Sequence, residues 1–126
     1  MGHNNLEDRF VRFTIAVINL TEEFPNTKIG LELKSQLLRS APSVSLNYGE
    51  AQGAESRKDF IHKLKVVLKE LRETNVNLKI VHGIKLAKSV EHLQFLLTEA
   101  NELISITMAS IRTATHNDEL SKRNKK

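Results

Sequence analysis

The sequence of 126 residues contains no cysteine, no tryptophan, two prolines and five glycines. Without cysteine, the chain can form no disulfide framework, thiolate zinc site or iron–sulfur cluster, and it has no cysteine nucleophile. The longest run without Lys, Arg, Asp or Glu is ten residues, at 40–49, well short of the roughly 20 that a membrane-spanning helix needs. Charged residues between Glu7 and Arg12 interrupt any secretory signal pattern. We therefore expect a cytoplasmic protein without a membrane segment.

The remaining composition is typical of one helical domain. Apolar residues (AVILMFWYC) make up 40% of the chain and charged residues 27%, which suits a single hydrophobic core at this length. The apolar residues recur with a period near 3.6, which indicates an all-α fold. Helices are predicted at residues 6–23, 28–52, 56–81 and 90–113. Because the joints are short, these segments predict an antiparallel up-down-up-down four-helix bundle that occupies residues 1–113.

Local signals mark the joints between these helices. Pro25 is expected to end the first helix, because it forces the preceding residue out of the helical region. Ser56 is expected to cap the third helix, with Asp59 at the N3 position. Pro42 lies inside the second helix, where it removes one backbone hydrogen bond. A bend or local break is therefore expected at residues 40–43.

Two of the helices carry more apolar residues than one core-facing stripe needs. In the first helix, Val11, Ile15 and Ile18 form a second stripe about half a turn from the core stripe. In the fourth, Phe95 and Ile106 point away from the predicted core face, which contains Leu93, Leu97, Ala100, Ile104, Thr107 and Ile111. An exposed apolar stripe marks an interface, so these five outlying residues predict a homo-oligomer. The alternative is a broad apolar arc buried within a single bundle.

Positive charge is concentrated in one part of the chain. Residues 56–88 contain nine Lys or Arg and three Asp or Glu, although the whole chain has a net charge of only +4. One stripe of the third helix carries Lys58, His62, Lys65, Lys69 and Arg72. Such a stripe can follow a phosphate backbone, which predicts contact with RNA or DNA. The alternative is an ordinary solvated face, supported by neighbouring acidic residues.

The C-terminal residues 114–126 have little apolar surface to bury. We expect them to form a disordered basic tail that carries Lys122, Arg123, Lys125 and Lys126.

Polar residues on the second and third helices are expected to form a structural network that fixes the register of the two helices. Its members are Arg39, Asn47, Glu50 and Glu70. No pair of Glu-x-x-His motifs, Gly-rich phosphate loop or nucleophile elbow is present, so we expect no catalytic residue, metal site, cofactor or small-molecule substrate.

From Gln36 onward a series of residues follows a recognisable order and spacing: Arg39-Ser40, Ser43, Asn47, Glu50-Ala51, Ser56, Phe60, Lys63-Leu64, Lys69-Glu70 and Arg72-Glu73-Thr74. In these residues the sequence resembles the four-helix bundle proteins named after 23S rRNA intervening sequences. The resemblance implies a left-handed antiparallel bundle that assembles into ring-shaped homopentamers. A similar bundle serves diversity-generating retroelements as a basic pentamer that handles nucleic acid. This chain departs from the family pattern at Gly49, where an acidic residue is common, and at Val76 and Asn77, where aromatic residues are common.

The sequence therefore predicts a non-enzymatic homo-oligomer, five-membered by resemblance, that acts as a binding module for nucleic acid. The alternative is a purely structural or protein-adaptor oligomer with no role at nucleic acid.

Overall fold

The structure is a computed structural model that describes residues 5–124. Four α-helices are joined by short turns: α1 (Asn5–Thr21), α2 (Lys28–Gln52), α3 (Arg57–Gly83) and α4 (Val90–Asn124). The predicted all-α four-helix bundle is confirmed. Each helix packs against its neighbours in the order α1, α2, α3, α4, and α4 closes the bundle by packing against α1.

Contacts between α1 and α2 show that these two helices run in opposite directions. Thr14 Oγ1 on α1 donates a hydrogen bond to the Ala41 carbonyl on α2, at 3.0 Å. Eight residues after Thr14, and just past the end of α1, Glu22 pairs with Lys34 of α2 at 2.9 Å. The contacted residue of α2 moves from Ala41 back to Lys34 as the chain advances from Thr14 to Glu22. The two segments therefore run in opposite directions. The left-handed sense of the bundle stays a prediction.

Side-chain caps set the starts of α2 and α3. The Thr27 side chain accepts a hydrogen bond from the Gly30 backbone N–H at 3.1 Å. The Ser56 hydroxyl accepts one from the Asp59 N–H at 3.0 Å, as predicted. Both hydroxyls satisfy a donor that the first helical turn leaves without a backbone partner. At the end of α3, Lys85 takes a left-handed φ of 56° as the chain turns toward α4.

The start of α4 is held by a carboxylate from the turn that follows α1. Glu23 accepts hydrogen bonds from the Lys88 N–H at 3.0 Å, the Ser89 N–H at 2.8 Å and the Ser89 hydroxyl at 2.7 Å. The Ser89 bonds, with His92 nearby, lower the pKa of Glu23 although partial burial opposes the shift. Negative charge at a helix N-terminus is stabilising. The same contact joins the turn after α1 to the turn before α4, which are far apart in the sequence.

Charged side chains also join α1 to α4. Arg9 makes a bidentate pair with Glu99, at 2.7 and 2.8 Å, and reaches Glu102 at 3.1 Å. The hydrogen bonds with Arg9 lower the pKa of Glu99. A bidentate pair of this kind fixes the relative orientation of the two side chains as well as the distance between them.

The core is formed by one stripe from each helix. The α1 contribution includes Phe10, Val17 and Leu20, each at most 1% exposed. The Phe10 ring lies 4.8 Å from the ring of Tyr48 on α2. On α4 the fully buried residues are Leu96, Ala100 and Leu103.

The structure corrects two expectations about helix continuity. Helix α2 continues unbroken through Pro42, so the predicted break at residues 40–43 does not occur. Helix α4 continues past Thr113 to Asn124, so the prediction of a disordered tail is wrong for residues 114–124. Ala114 is 9% exposed, and Arg57 Nη1 donates to the Asn117 carbonyl at 2.9 Å. These tertiary contacts hold the polar segment helical; residues 125 and 126 lie outside the described residues.

Close packing at Gly30 generates a stability prediction. A Cβ added there would overlap the backbone carbonyl oxygen of Pro25, whereas a Cβ at Gly49 would have no neighbour within 4 Å. We expect Gly30→Ala to lower the free energy of unfolding by roughly 2 kcal/mol, because the backbone must shift. Gly49→Ala should raise it by up to about 1 kcal/mol through its higher helix propensity. Urea unfolding of both variants checks this, and equal effects would contradict it.

The Glu23 cap predicts a pH-dependent contribution to stability. A carboxylate whose pKa is lowered in the folded state stabilises the fold above its unfolded pKa, near 4.3, and this stabilisation is lost as the pH falls through the folded value. We expect Glu23→Gln to cost about 1 kcal/mol at pH 7, a typical cap contribution, and progressively less below about pH 4. Urea unfolding at several pH values measures this. Glu119→Gln, at an exposed position of α4, is the control and should show no such trend.

Candidate functional site

The five predicted basic residues lie along the outer side of α3, and all five are exposed. Their spacing of three or four residues places them on one line of about 21 Å. We call this line the basic face; it consists of Lys58, His62, Lys65, Lys69 and Arg72.

The basic face is not neutralised by ion pairs. Within residues 5–124, none of the salt bridges involves one of its five side chains. The nearby Lys63, which lies off this line, pairs with Glu50 at 2.6 Å. Arg72 Nη2 contacts the sulfur of Met108 at 3.5 Å, which positions the guanidinium without removing its charge. The positive charges are therefore available to solvent or to an anionic partner.

The predicted polar network between α2 and α3 forms only in part. Glu50 reaches α3, but its partner is Lys63. Asn47 bonds within its own helix to the carbonyl and hydroxyl of Ser43, at 2.8 and 3.1 Å. Within the described residues, the side chains of Arg39 and Glu70 make no hydrogen bond or ion pair with the other predicted members.

A hydrogen bond that the sequence did not predict fixes the register instead. Thr74 Oγ1 lies 2.8 Å from the buried Ser40 Oγ and 2.9 Å from the Glu70 carbonyl oxygen, so its single hydroxyl proton serves one of these two hydrogen bonds at a time. Small hydroxyl side chains at a buried α2/α3 contact are the signal that could have indicated it. The bond places Arg39 and Arg72 beside the same groove, whose lining also includes Asn77.

The second apolar stripe of α1 remains uncovered in the single chain. Val11 is 41% exposed and Ile15 is 51% exposed, while Ile18 is half-buried. The ion pair between Glu22 and Lys34 shows which part of α2 faces this stripe.

Residues on α2 extend this apolar stripe across the α1/α2 groove. Leu31 and Leu38, which lie three residues before and four after Lys34, are 52% and 38% exposed. Because residues at those spacings share a helix face, they lie on the same side as Lys34. We call the combined area the apolar surface; it consists of Val11, Ile15, Ile18, Leu31 and Leu38.

The two outlying apolar residues of α4 differ in their surroundings. Phe95 is 62% exposed. Ile106 is half-buried and lines a groove of about 560 Å³ with Phe60 and Arg57 of α3. Of the predicted basic tail, Lys122 pairs with Asp118 at 3.3 Å and Arg123 is exposed, while Lys125 and Lys126 lie outside the described residues.

Clusters of metal ligands and membrane-spanning helices are both absent from the described part of the chain. Between residues 5 and 124, no three His, Asp or Glu side chains are grouped so that they could hold a metal ion. Over the same range, no helix combines the length and apolar content needed to cross a bilayer.

Comparison with known proteins identifies the family. The family model of the 23S rRNA-intervening sequence protein matches residues 5–109, which includes α1, α2, α3 and more than half of α4. The chain belongs to this family. The intervening-sequence resemblance in the sequence is therefore confirmed, and the match extends to the start of α1.

A solved structure has the same fold as this intervening-sequence family member. It is a protein of unknown function from the S23 ribosomal protein family of Bacteroides thetaiotaomicron. The two chains are 28% identical with a TM-score of 0.73, and the match covers 83% of this chain and 96% of the other. No curated protein matches the chain.

Proposed function

We propose that this intervening-sequence family member is a self-associating, non-enzymatic binding module of the cytoplasm that contacts nucleic acid through the basic face of α3. The observation that carries the proposal is a line of five exposed basic side chains without a carboxylate partner in the described residues. Phosphate contacts need positive charge at regular spacing and no base-reading groups. The expected binding is therefore backbone-directed, sensitive to salt and weakly specific for sequence.

Self-association is supported by the apolar surface. Isolated exposed apolar residues are common, but a contiguous patch over two helices is typical of an interface. A second copy of the chain is the proposed occupant. The ring of five copies implied by the family resemblance is the assembly we propose.

The positions of the two surfaces make both activities compatible. The apolar surface lies on α1 and α2, whereas the basic face lies on the outer side of α3, which does not pack against α1. In a ring of five copies each interface joins two different surfaces, so the apolar surface of one copy meets another part of its neighbour, and α3 stays free when that part lies on α4, beside the exposed Phe95. Symmetry would then repeat the basic face once in each copy, which multiplies weak phosphate contacts.

Charge removal on the basic face tests nucleic-acid contact. Changing Lys58, Lys65 and Lys69 together to Gln should weaken binding to mixed-sequence RNA or DNA at least about tenfold at 100 mM salt, because up to three phosphate contacts per chain are lost. The slope of log affinity against log salt should also become shallower, by about 2 to 3 for each chain engaged. Fluorescence anisotropy over a salt series measures both quantities.

The matched control changes the same number of charges elsewhere. Lys28, Lys85 and Lys88 are exposed and lie away from the basic face. Changing all three residues to Gln should leave most of the affinity for nucleic acid intact. The slope of log affinity against log salt should also stay nearly the same. Equal losses in the two triple variants, or no binding by the unaltered protein at low salt, would contradict nucleic-acid contact and favour a structural or adaptor oligomer.

A charge placed in the apolar surface tests self-association. Ile15→Glu should shift the assembly toward single chains by at least tenfold in dissociation constant, because a carboxylate buried without a partner is costly. Light scattering coupled to size-exclusion chromatography measures the mass. Val90→Glu introduces the same charge at a residue of similar exposure outside the apolar surface, and it should leave the mass unchanged.

A further inference from the structure

A polar groove lies between α2 and α3, at the end of the basic face. Its volume is about 400 Å³, and it is lined by Gln36, Arg39, Arg72, Glu73, Val76 and Asn77. Only Arg72 also belongs to the basic face. The volume falls in the range of sites that hold small ligands or single groups of larger ones.

Two arginines from different helices line this groove: Arg39 of α2, and Arg72 of α3, whose Nη2 also contacts the Met108 sulfur on α4 at 3.5 Å. Within residues 5–124, neither Arg39 nor Arg72 pairs with a carboxylate. Glu73 is the one carboxylate of the lining, so the groove carries a net positive charge. A guanidinium presents its donors in a planar fork that fits the oxygens of phosphate.

The Ser40–Thr74 hydrogen bond fixes the register of the two helix backbones that carry these arginines. Ser40 follows Arg39 on α2, and Thr74 lies two residues after Arg72 on α3. Because this contact is buried, the two backbones cannot slide past each other without breaking it. The groove is therefore preorganised between rigid helices, which reduces the ordering cost of binding.

Asn77 is a further polar residue of the groove lining. It is 9% exposed as a whole residue and lines the groove, and between residues 5 and 124 its side chain makes no hydrogen bond. Buried amides are paired as a rule. Gln36, on the opposite wall, already donates to Glu32 at 2.9 Å. The Asn77 amide is therefore able to donate and accept hydrogen bonds at the groove.

We propose that the α2/α3 groove binds one phosphate group of a nucleic-acid backbone, with Arg39 and Arg72 on its oxygens and Asn77 donating a further hydrogen bond. This inference deepens the proposed function and depends on it for the source of the phosphate. A backbone strand fits because the groove continues the line of Lys65 and Lys69. Glu73 repels additional anionic charge, so a phosphodiester with one charge suits the groove better than a polyphosphate.

The first experiment tests the groove alone. Inorganic phosphate is titrated at constant ionic strength into isotope-labelled protein, and the NMR signals of the Asn77 side-chain amide are followed. They should shift in a saturable manner. Arg39→Gln and Arg72→Gln should each weaken the fitted affinity about tenfold, because each removes charge-assisted hydrogen bonds. Arg12→Gln is the matched control: Arg12 is an exposed arginine whose charge acts on Glu99, and its loss should have no effect.

The second experiment identifies the source of the phosphate. A single-stranded oligonucleotide should shift the same amide signals, and the double variant R39Q/R72Q should reduce its affinity while circular dichroism stays unchanged. If phosphate shifts the amide but the double variant binds the oligonucleotide normally, the nucleic-acid source is overturned. If Asn77 does not respond to either probe, the groove proposal is overturned. The proposed function survives that result if the triple lysine variant still loses affinity for the oligonucleotide.

Discussion

The constraint on which the other features depend is that α1 carries two apolar stripes and the bundle has one interior. Phe10, Val17 and Leu20 fill that interior and are almost completely buried. Val11 and Ile15 lie outside the core face and stay 41% and 51% exposed. Rotation of α1 would bury the second stripe only by exposing the first, including two phenylalanines. The sequence therefore produces a well-filled core together with an apolar surface whose exposure to water is unfavourable. We propose that a second copy of the chain buries this surface.

Polar contacts set the orientation of the helices that present these surfaces. The Arg9–Glu99 pair and the Glu23 cap hold α1 against α4, and the Ser40–Thr74 bond holds α2 against α3. Surface ion pairs contribute little free energy, but directional contacts at both ends of a helix pair limit its rotation and sliding. Fixed orientation places the apolar surface and the basic face on different sides of the bundle. Assembly and nucleic-acid binding then need not compete for the same residues.

Hydropathy period and capping chemistry predicted the fold well because they are local properties. Ser56 caps α3 as expected, and α2 has its predicted bounds. The core face of α4 was less predictable. Its apolar arc is broad, and packing against the other helices buries Leu96 and Leu103 completely, whereas the predicted Leu97 and Ile104 are half-buried. The helical extension beyond Thr113 was missed because its support, the contact between Arg57 and Asn117, joins residues 60 positions apart.

The candidate site shows the same division between local and distant information. Spacing along one helix predicted the exposed line from Lys58 to Arg72. The groove that contains Arg39 and Asn77 depends on the register between α2 and α3, which the pattern of a single helix does not contain.

The most direct test of the central claim is sedimentation equilibrium of the unaltered protein over a range of micromolar concentrations. Self-association through the apolar surface predicts a mass several times 14.3 kDa, and five times for the proposed ring. A mass of 14.3 kDa across that range would contradict it.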